Sequence, residues 1–270
     1  MADVSDVYNA LAAWITNLLY PTGSGNPSVI SYAGAPVAFR IYPGWPVSED
    51  LDNDLSNGIV NINVYPLPTE RNISTLDHSP WIVSQPVPTL TATVSGQTVA
   101  IGGTVTAGEA VGVTVGGKAY SYLAQASDTV SSIAANLASL IPGASSSGAV
   151  VTISSVAPLS ARIGVPTVVA TPVKRQSRQF QIVVWAPSPV LRDSVAQYID
   201  SWLGDTYRIA LPDGSAANLK YSHSPVNDLL QKEGAWRRDL FYEVIFDTTR
   251  TQTLMTVVGT TLSLSLQPAQ

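Results

Sequence analysis

The chain has 270 residues, of which 45% are apolar and only 12% charged, with a net charge of −5, no cysteine and two histidines. That length can bury a large core and fill one or two domains. The lack of cysteine excludes disulfides, thiolate nucleophiles and Cys-ligated metal, and the negative charge argues against a nucleic-acid binder of the basic-groove type. A low charge content leaves much polar-neutral surface, as expected where surface meets other subunits. The start, MADVSDVYNA, is acidic and lacks the basic opening of a signal peptide, and no stretch approaches the roughly 18 apolar residues of a membrane span. The expectation is a soluble protein made in the cytoplasm.

The first element reads as a helix over 3–20. Val4, Val7, Tyr8, Leu11, Trp14, Ile15 and Leu18 form one stripe, with Asp3, Ser5 or Asp6 as cap. Trp14 reads as core, subunit contact or ligand platform. Residues 35–42 alternate as a strand, broken by PGWP. Residues 48–57, SEDLDNDLSNG in context, read as an acidic loop. Val60, Ile62 and Val64 then alternate with Asn61, Asn63 and Tyr65, a half-buried strand with a polar face that Pro66 and Pro68 should close. Residues 69–88 read as irregular.

From 89 to 166 the composition turns to Ser, Thr, Gly, Ala and Val, and Trp and Phe vanish. Short Gly-punctuated strands surround a helix capped by Ser127 or Asp128 and running to Ile141. Aromatic residues return after Val173, so 89–166 reads as a small β-rich α+β module inserted into a host made of 1–88 and 167–270, with Pro-marked crossings between them. The host is expected to be a mixed, mainly antiparallel sheet packed by helices, so the fold class is α+β.

Residues 178–203 form the centre of the host. Phe180, Ile182 and Val184 alternate with Gln179, Gln181, Val183 and Trp185 as a strand. Ser188 and Pro189 then open a helix carrying Leu191, Val195, Tyr198, Ile199 and Trp202, with Gly204 as its stop. TYRIALP and LKYSHS read as strands around a DGSAANL turn, and 225–230 as a helical turn. Residues 236–248 read as the longest strand. The Thr- and Ser-rich tail after it alternates and needs a partner, in the body or in a neighbouring subunit.

Reactive chemistry is sparse. His78 and His223 have Asp and Ser in sequence reach, but there is no nucleophile elbow and no HExxH pattern. Asp50, Asp52 and Asp54 match the opening of a calcium loop, which then fails at Leu55 and Asn61. No catalytic, cofactor or metal residue is expected. The candidate contact residues are Trp236, Arg237 and Arg238, at the start of the last long strand, and Asp50, Asp52 and Asp54. The plainer reading of the arginines is a strand-entry pair bridged to Asp239. Lys174, Arg175 and Arg178 form a second basic cluster open to the same two readings.

The order of the host elements carries a resemblance. An N-terminal amphipathic helix leads to APVAFRIYPG, then NGIVNINVYPL, then RQFQIVVWAPSPVLRDSVAQYIDSWL, and finally DLFYEVIFDTT. This resembles the tail terminator, or tail completion, proteins of tailed bacteriophages. The resemblance implies a virion protein that forms a homo-oligomeric ring, usually a hexamer, capping the tail tube and joining it to the neck or head connector. Tube, neck and sheath proteins would be its partners. The strand ends and the acidic 48–57 segment would meet tube or neck, residues 236–239 and the C-terminal strand would join subunits, and DNA would pass an acidic lumen without specific binding. The minimal family domain lacks the insert, which leaves open a neck or baseplate role. Two other classes stay open: carbohydrate recognition by the insert, and a cell-wall hydrolase depending on His78 or His223.

Overall fold

The computed structural model describes residues 1–74, 79–229 and 234–260, with the backbone alone at 258–260. His78, Leu230 and the tail beyond 260 lie outside the described residues. The chain opens with α1 (Val4–Leu19), β1 (Ser31–Tyr32), β2 (Ala35–Pro36), β3 (Phe39–Pro43), α2 (Ser48–Ser56), β4 (Val60–Asn72) and β5 (Trp81–Ser84). It continues through β6 (Leu90–Ser95), β7 (Thr98–Gly103), β8 (Ala110–Val115), β9 (Lys118–Leu123), α3 (Val130–Leu140), β10 (Ala144–Ser147) and β11 (Val150–Ile153). It ends with β12 (Leu159–Ala186), α4 (Pro189–Asp205), β13 (Arg208–Ala210), β14 (Ala216–His223), β15 (Val226–Asn227) and β16 (Trp236–Thr260). The fold is α+β, with mainly antiparallel pairing. None of the described helices is long and apolar enough to cross a membrane.

Two compact units divide the chain. The first is Met1–Trp81 with Ala170–Thr251, and the second is Ile82–Val169 with the residues from Gln252 onward. The expected boundaries at 88/89 and 166/167 differ from these by a few residues. The larger difference is that the end of β16 groups with the second unit.

In the first unit the strand order is β13-β14-β16-β12-β4-β3. β4 runs antiparallel to β12 and parallel to β3, the parallel pair being joined through α2. One face of this sheet carries Val60, Ile62 and Val64, Phe180, Ile182 and Val184, and Leu240, Tyr242 and Val244, all buried. Helices α1 and α4 cover it with Leu11, Ile15 and Leu19 and with Val195, Ile199 and Leu203. α1 starts in a capping box: Asp3 accepts from the Ser5 N–H at 2.7 Å, and Asp6 accepts from the Asp3 N–H at 2.9 Å. The chain just before it is fixed too. The Ala2 N–H donates to Thr249 Oγ1 at 2.7 Å, and that hydroxyl donates to Asp213 Oδ2 at 2.5 Å. β1 and β2 form a two-residue hairpin in which Ala33 and Gly34 both take positive φ, 52° and 83°. This is the primed turn that matches strand twist.

The second unit contains the sheet β10-β11-β7-β6 and the hairpin β8–β9, which pairs with the opening residues of β12. Its core is built from small and medium side chains, among them Val99, Val111, Ile133, Leu137, Val151 and Ile163. α3 is capped by Thr129, one residue after the expected Asp128, in a box with Ser132. Glu109 is buried, and its carboxylate accepts the Thr89 and Leu90 N–H groups, each at 2.8 Å. Those bonds hold the entry to β6.

Several expectations need correction. Residues 48–56 form helix α2 rather than a loop. Leu51 and Leu55 give it an apolar stripe, and Glu49 and Asp50 in its first turn suit the helix N-terminus. β4 continues past Pro66 and Pro68 to Asn72. β3 pairs only as far as Val64, so beyond it β4 is an edge strand, where proline is tolerated. The Pro-marked stretch 166–172 lies inside β12, which at 28 residues exceeds the 25 of β16. Gly204 sits within α4, which ends at Asp205 with Thr206 as cap. β14 begins at Ala216, inside the stretch read as a turn, and Val226–Asn227 pairs with β16 where a helical turn was expected. Asn61 and Asn63 are fully buried, so β4 has no exposed polar face there.

Candidate interface

The sheet of the first unit has a second face, and it is divided along its strands. At one end α2 lies on it. Leu51 and Leu55 pack with Val183, Trp185 and Ala235. Beneath the helix the strands present polar side chains, and each finds a partner. Asp54 bridges Arg40 at 2.9 Å and accepts from Asn61 Nδ2 at 3.0 Å. The Tyr42 hydroxyl donates to Asn61 Oδ1 at 3.2 Å. Burial and the nearby Asp54 carboxylate push the Tyr42 hydroxyl up to about 12. The Trp185 indole donates to Asn63 Oδ1 at 3.0 Å, and Asn63 Nδ2 donates to the Gly44 carbonyl at 3.0 Å. These bonds explain why two asparagines can sit fully buried in a strand.

Arg237 completes this end. It grips Asp239 through two hydrogen bonds, 2.8 and 3.0 Å, and its guanidinium lies 5.1 Å from the Trp45 ring and 5.0 Å from the Trp185 ring. Trp45 remains 49% exposed and meets Tyr65 edge-on at 5.8 Å. Val47, also exposed, lies two residues after Trp45.

The six candidate residues therefore separate. Strand alternation sends Arg237 to the α2 face, where Asp54 also lies. Trp236 and Arg238 go to the other side. There the Arg192 guanidinium lies 5.9 Å from the Trp236 ring, and Arg238 bonds Ser224 and approaches Asp193 at 3.7 Å. Arg192 also pairs with Asp193 and Asp228, and its hydrogen bonds hold the Asp193 carboxyl below the usual range. Asp50 and Asp52 stand on the outer surface of α2, exposed. With Glu49 they make no ion pair among the described residues. The calcium-loop reading has no loop to occupy, since Asp54 is committed to Arg40 and no group of metal-ligating side chains occurs among the described residues. His223 is exposed, stacks on Phe241 at 4.3 Å and contacts Ser222 through Nδ1 at 2.9 Å.

Among the described residues, the other end of the same face carries no helix. It holds two adjacent clefts, one around Arg71, Ser177, Gln179 and Glu243, the other around Arg175, Arg208, Asn218 and Asp247. Phe241 and Ile245 lie half-buried on the same face of β16. Arg71 bridges Glu243 at 2.8 Å and Arg175 bridges Asp247 at 3.5 Å. The hydrogen bond from Ser177, and then Arg71, hold the Glu243 carboxyl below its ordinary range. Lys174 and Arg178 share Glu70 at 3.5 and 3.2 Å, so the basic cluster midway along β12 is largely paired with carboxylates.

Trp45, Tyr42, Asn63 and Trp185 were not singled out from sequence as site residues. The signal available was the pair of asparagines alternating with Val60, Ile62 and Val64. No protein-family model matches the chain, and no curated protein matches it.

Proposed function

We propose that the protein is a structural subunit of a bacteriophage-like tail, closing into a ring, hexameric in the favoured form, that caps the tail tube and joins it to the neck. One observation supports an assembly role above others. At the end of β16, within the second unit, Leu254, Met255 and Val257 are 43, 48 and 55% exposed. Consecutive positions point to opposite faces, so this strand carries apolar surface on both sides. That is unfavourable in a lone chain and natural where another subunit covers it. The element order from α1 through β4, β12, α4 and β16 supports the specific family reading. Repeated head-to-tail contacts would close the ring, and the net charge of −5 would keep phosphates from adhering as DNA passed. The protein acts in this reading by shape and without catalysis, with tube and neck proteins, and the sheath where a tail carries one, as partners.

Electron microscopy of tails purified from an infected host tests it. Antibody label at the tube–neck junction is the expected result, and a protein never found in particles ends the reading. In solution a six-membered ring would weigh roughly 170 kDa.

A second reading has its own observation. A groove in the second unit is lined by Tyr120, Ser121 and Arg162 beside Gly112 and Gly164. An aromatic ring next to hydrogen-bonding groups suits a sugar face. Glycan-array binding by the full chain, lost in Tyr120→Ala, would favour surface recognition.

A further inference from the structure

We propose that two copies of this chain pair face to face about a two-fold axis, each setting its α2 into the helix-free end of the other's sheet. The argument begins with shape. The second face of the first unit's sheet is a step: α2 raises one end, and at the other no described helix lies on the strands, with Trp81 bordering one cleft. Along β12 the covered Trp185 and the bare Ser177 are eight residues apart, about 26 Å at strand rise. α2 has nine residues and is about 14 Å long, short enough to lie within the bare end. A surface with a ridge at one end and a hollow at the other is complementary to its own two-fold mate, so both contacts form at once.

Charge points to the same occupant. The outer surface of α2 offers Glu49, Asp50 and Asp52, which make no ion pair among the described residues, and the helix contains no cation. The bare end offers Arg71, Arg175, Arg208 and Lys220 against Glu243 and Asp247, and Glu70, which also lines the first cleft, is shared by Lys174 and Arg178. Six cations outnumber three carboxylates, in a chain that carries only 14 Lys and Arg against 19 Asp and Glu. The Arg71 side chain is 75% exposed even while bridged to Glu243, which leaves donors for a second carboxylate. An acidic helix from another protein would satisfy the same hollow, but it would leave the first copy's own α2 unmatched. A second copy satisfies both.

The step itself supplies the apolar contact. Tyr65 and Trp45 lie between α2 and the bare end, exposed and packed edge to face. A two-fold axis through the step brings these rings to their counterparts. Large aromatic side chains near the centre of a contact carry much of its binding energy. The charged pairs around them set register and make association salt-dependent.

The inference does not rest on the ring reading, because ring closure needs two different surfaces and this contact uses one surface twice. The test is mass in solution by light scattering across a salt series, with circular dichroism to verify folding. Two charge-reversed variants are needed, one with Glu49→Lys, Asp50→Lys and Asp52→Lys, the other with Arg71→Glu, Arg208→Glu and Lys220→Glu. Wild type is expected at twice the 28.5 kDa of one chain, or an even multiple of it, falling as salt rises. Each variant alone should show half the wild-type mass. Mixing the two restores opposite charges at both contacts, so the mixture should recover the wild-type value. A wild-type mass unchanged by either variant overturns the proposal, as does a monomeric wild type or a mixture that stays dissociated. A ring of about six chains insensitive to both variants would overturn it and leave the ring reading standing.

Discussion

The two faces of the first unit's sheet are built on different principles. Against α1 and α4 the contacts are apolar throughout, from Val60 and Phe180 to Tyr242. Against α2 they are a chain of hydrogen bonds and ion pairs, Tyr42–Asn61–Asp54–Arg40 and Trp185–Asn63, with only a small apolar patch. An apolar face tolerates many side chains of similar volume. A polar layer under a helix is satisfied in one register only, since each donor left without its acceptor costs free energy. The first face holds the unit together, and the second fixes where α2 lies.

Substitutions can break that contrast. The largest effect is expected on the apolar face. Phe180→Ala removes a fully buried ring packed 6.3 Å from Phe246 and should cost about 3–5 kcal/mol in denaturant unfolding. On the polar face Asp54→Ala strands Asn61 Nδ2 and frees half-exposed Arg40, so the loss should be smaller, about 1–3 kcal/mol. It should also increase hydrogen exchange in α2 well before global unfolding, whereas Phe180→Ala should weaken all elements of the unit together. Trp185→Phe keeps most of the ring but deletes the indole donor to Asn63, and about 1 kcal/mol is expected.

The smallest effect is the sharpest in direction. The folded-state pKa of Glu243 is depressed, with Ser177 and Arg71 as causes, relative to the ordinary 4.5. The stability it contributes is therefore fully present above that ordinary value and is lost as pH falls through the lower folded value. Glu243→Gln should lower stability modestly at neutral pH, where the wild-type carboxylate contributes, and converge on wild type at low pH, so that the acid limb of a stability–pH curve is flatter.

The same contrast decides what could be read from the sequence. The apolar face was legible because Phe180, Ile182 and Val184, and Leu240, Tyr242 and Val244, repeat at the strand period, and the α1 stripe repeats at the helical one. The polar layer was not. Four carboxylates between residues 49 and 54 and position 57's Asn-Gly look like loop chemistry until Leu51 and Leu55 find Val183 and Trp185, which lie far away in sequence. Local composition carries no trace of that contact. Likewise Pro66 and Pro68 read as a strand end because nothing in the sequence reveals that β3 stops pairing at Val64. At the candidate interface, alternation along β16 was visible, but which of Trp236, Arg237 and Arg238 would meet α2 depended on the sheet order.

The tethering of Ala2 has a practical outcome for anyone handling this protein. Its amide is held inside by Thr249, itself bound to Asp213, while Met1 remains 74% exposed. An affinity handle joined ahead of Met1 can leave through open solvent without disturbing that anchor. Trimming by an aminopeptidase past the second position would do more than shorten the polypeptide: it would uncouple the leading helix from the strand that carries Thr249 and strip that threonine's amide and hydroxyl of the backbone groups they meet.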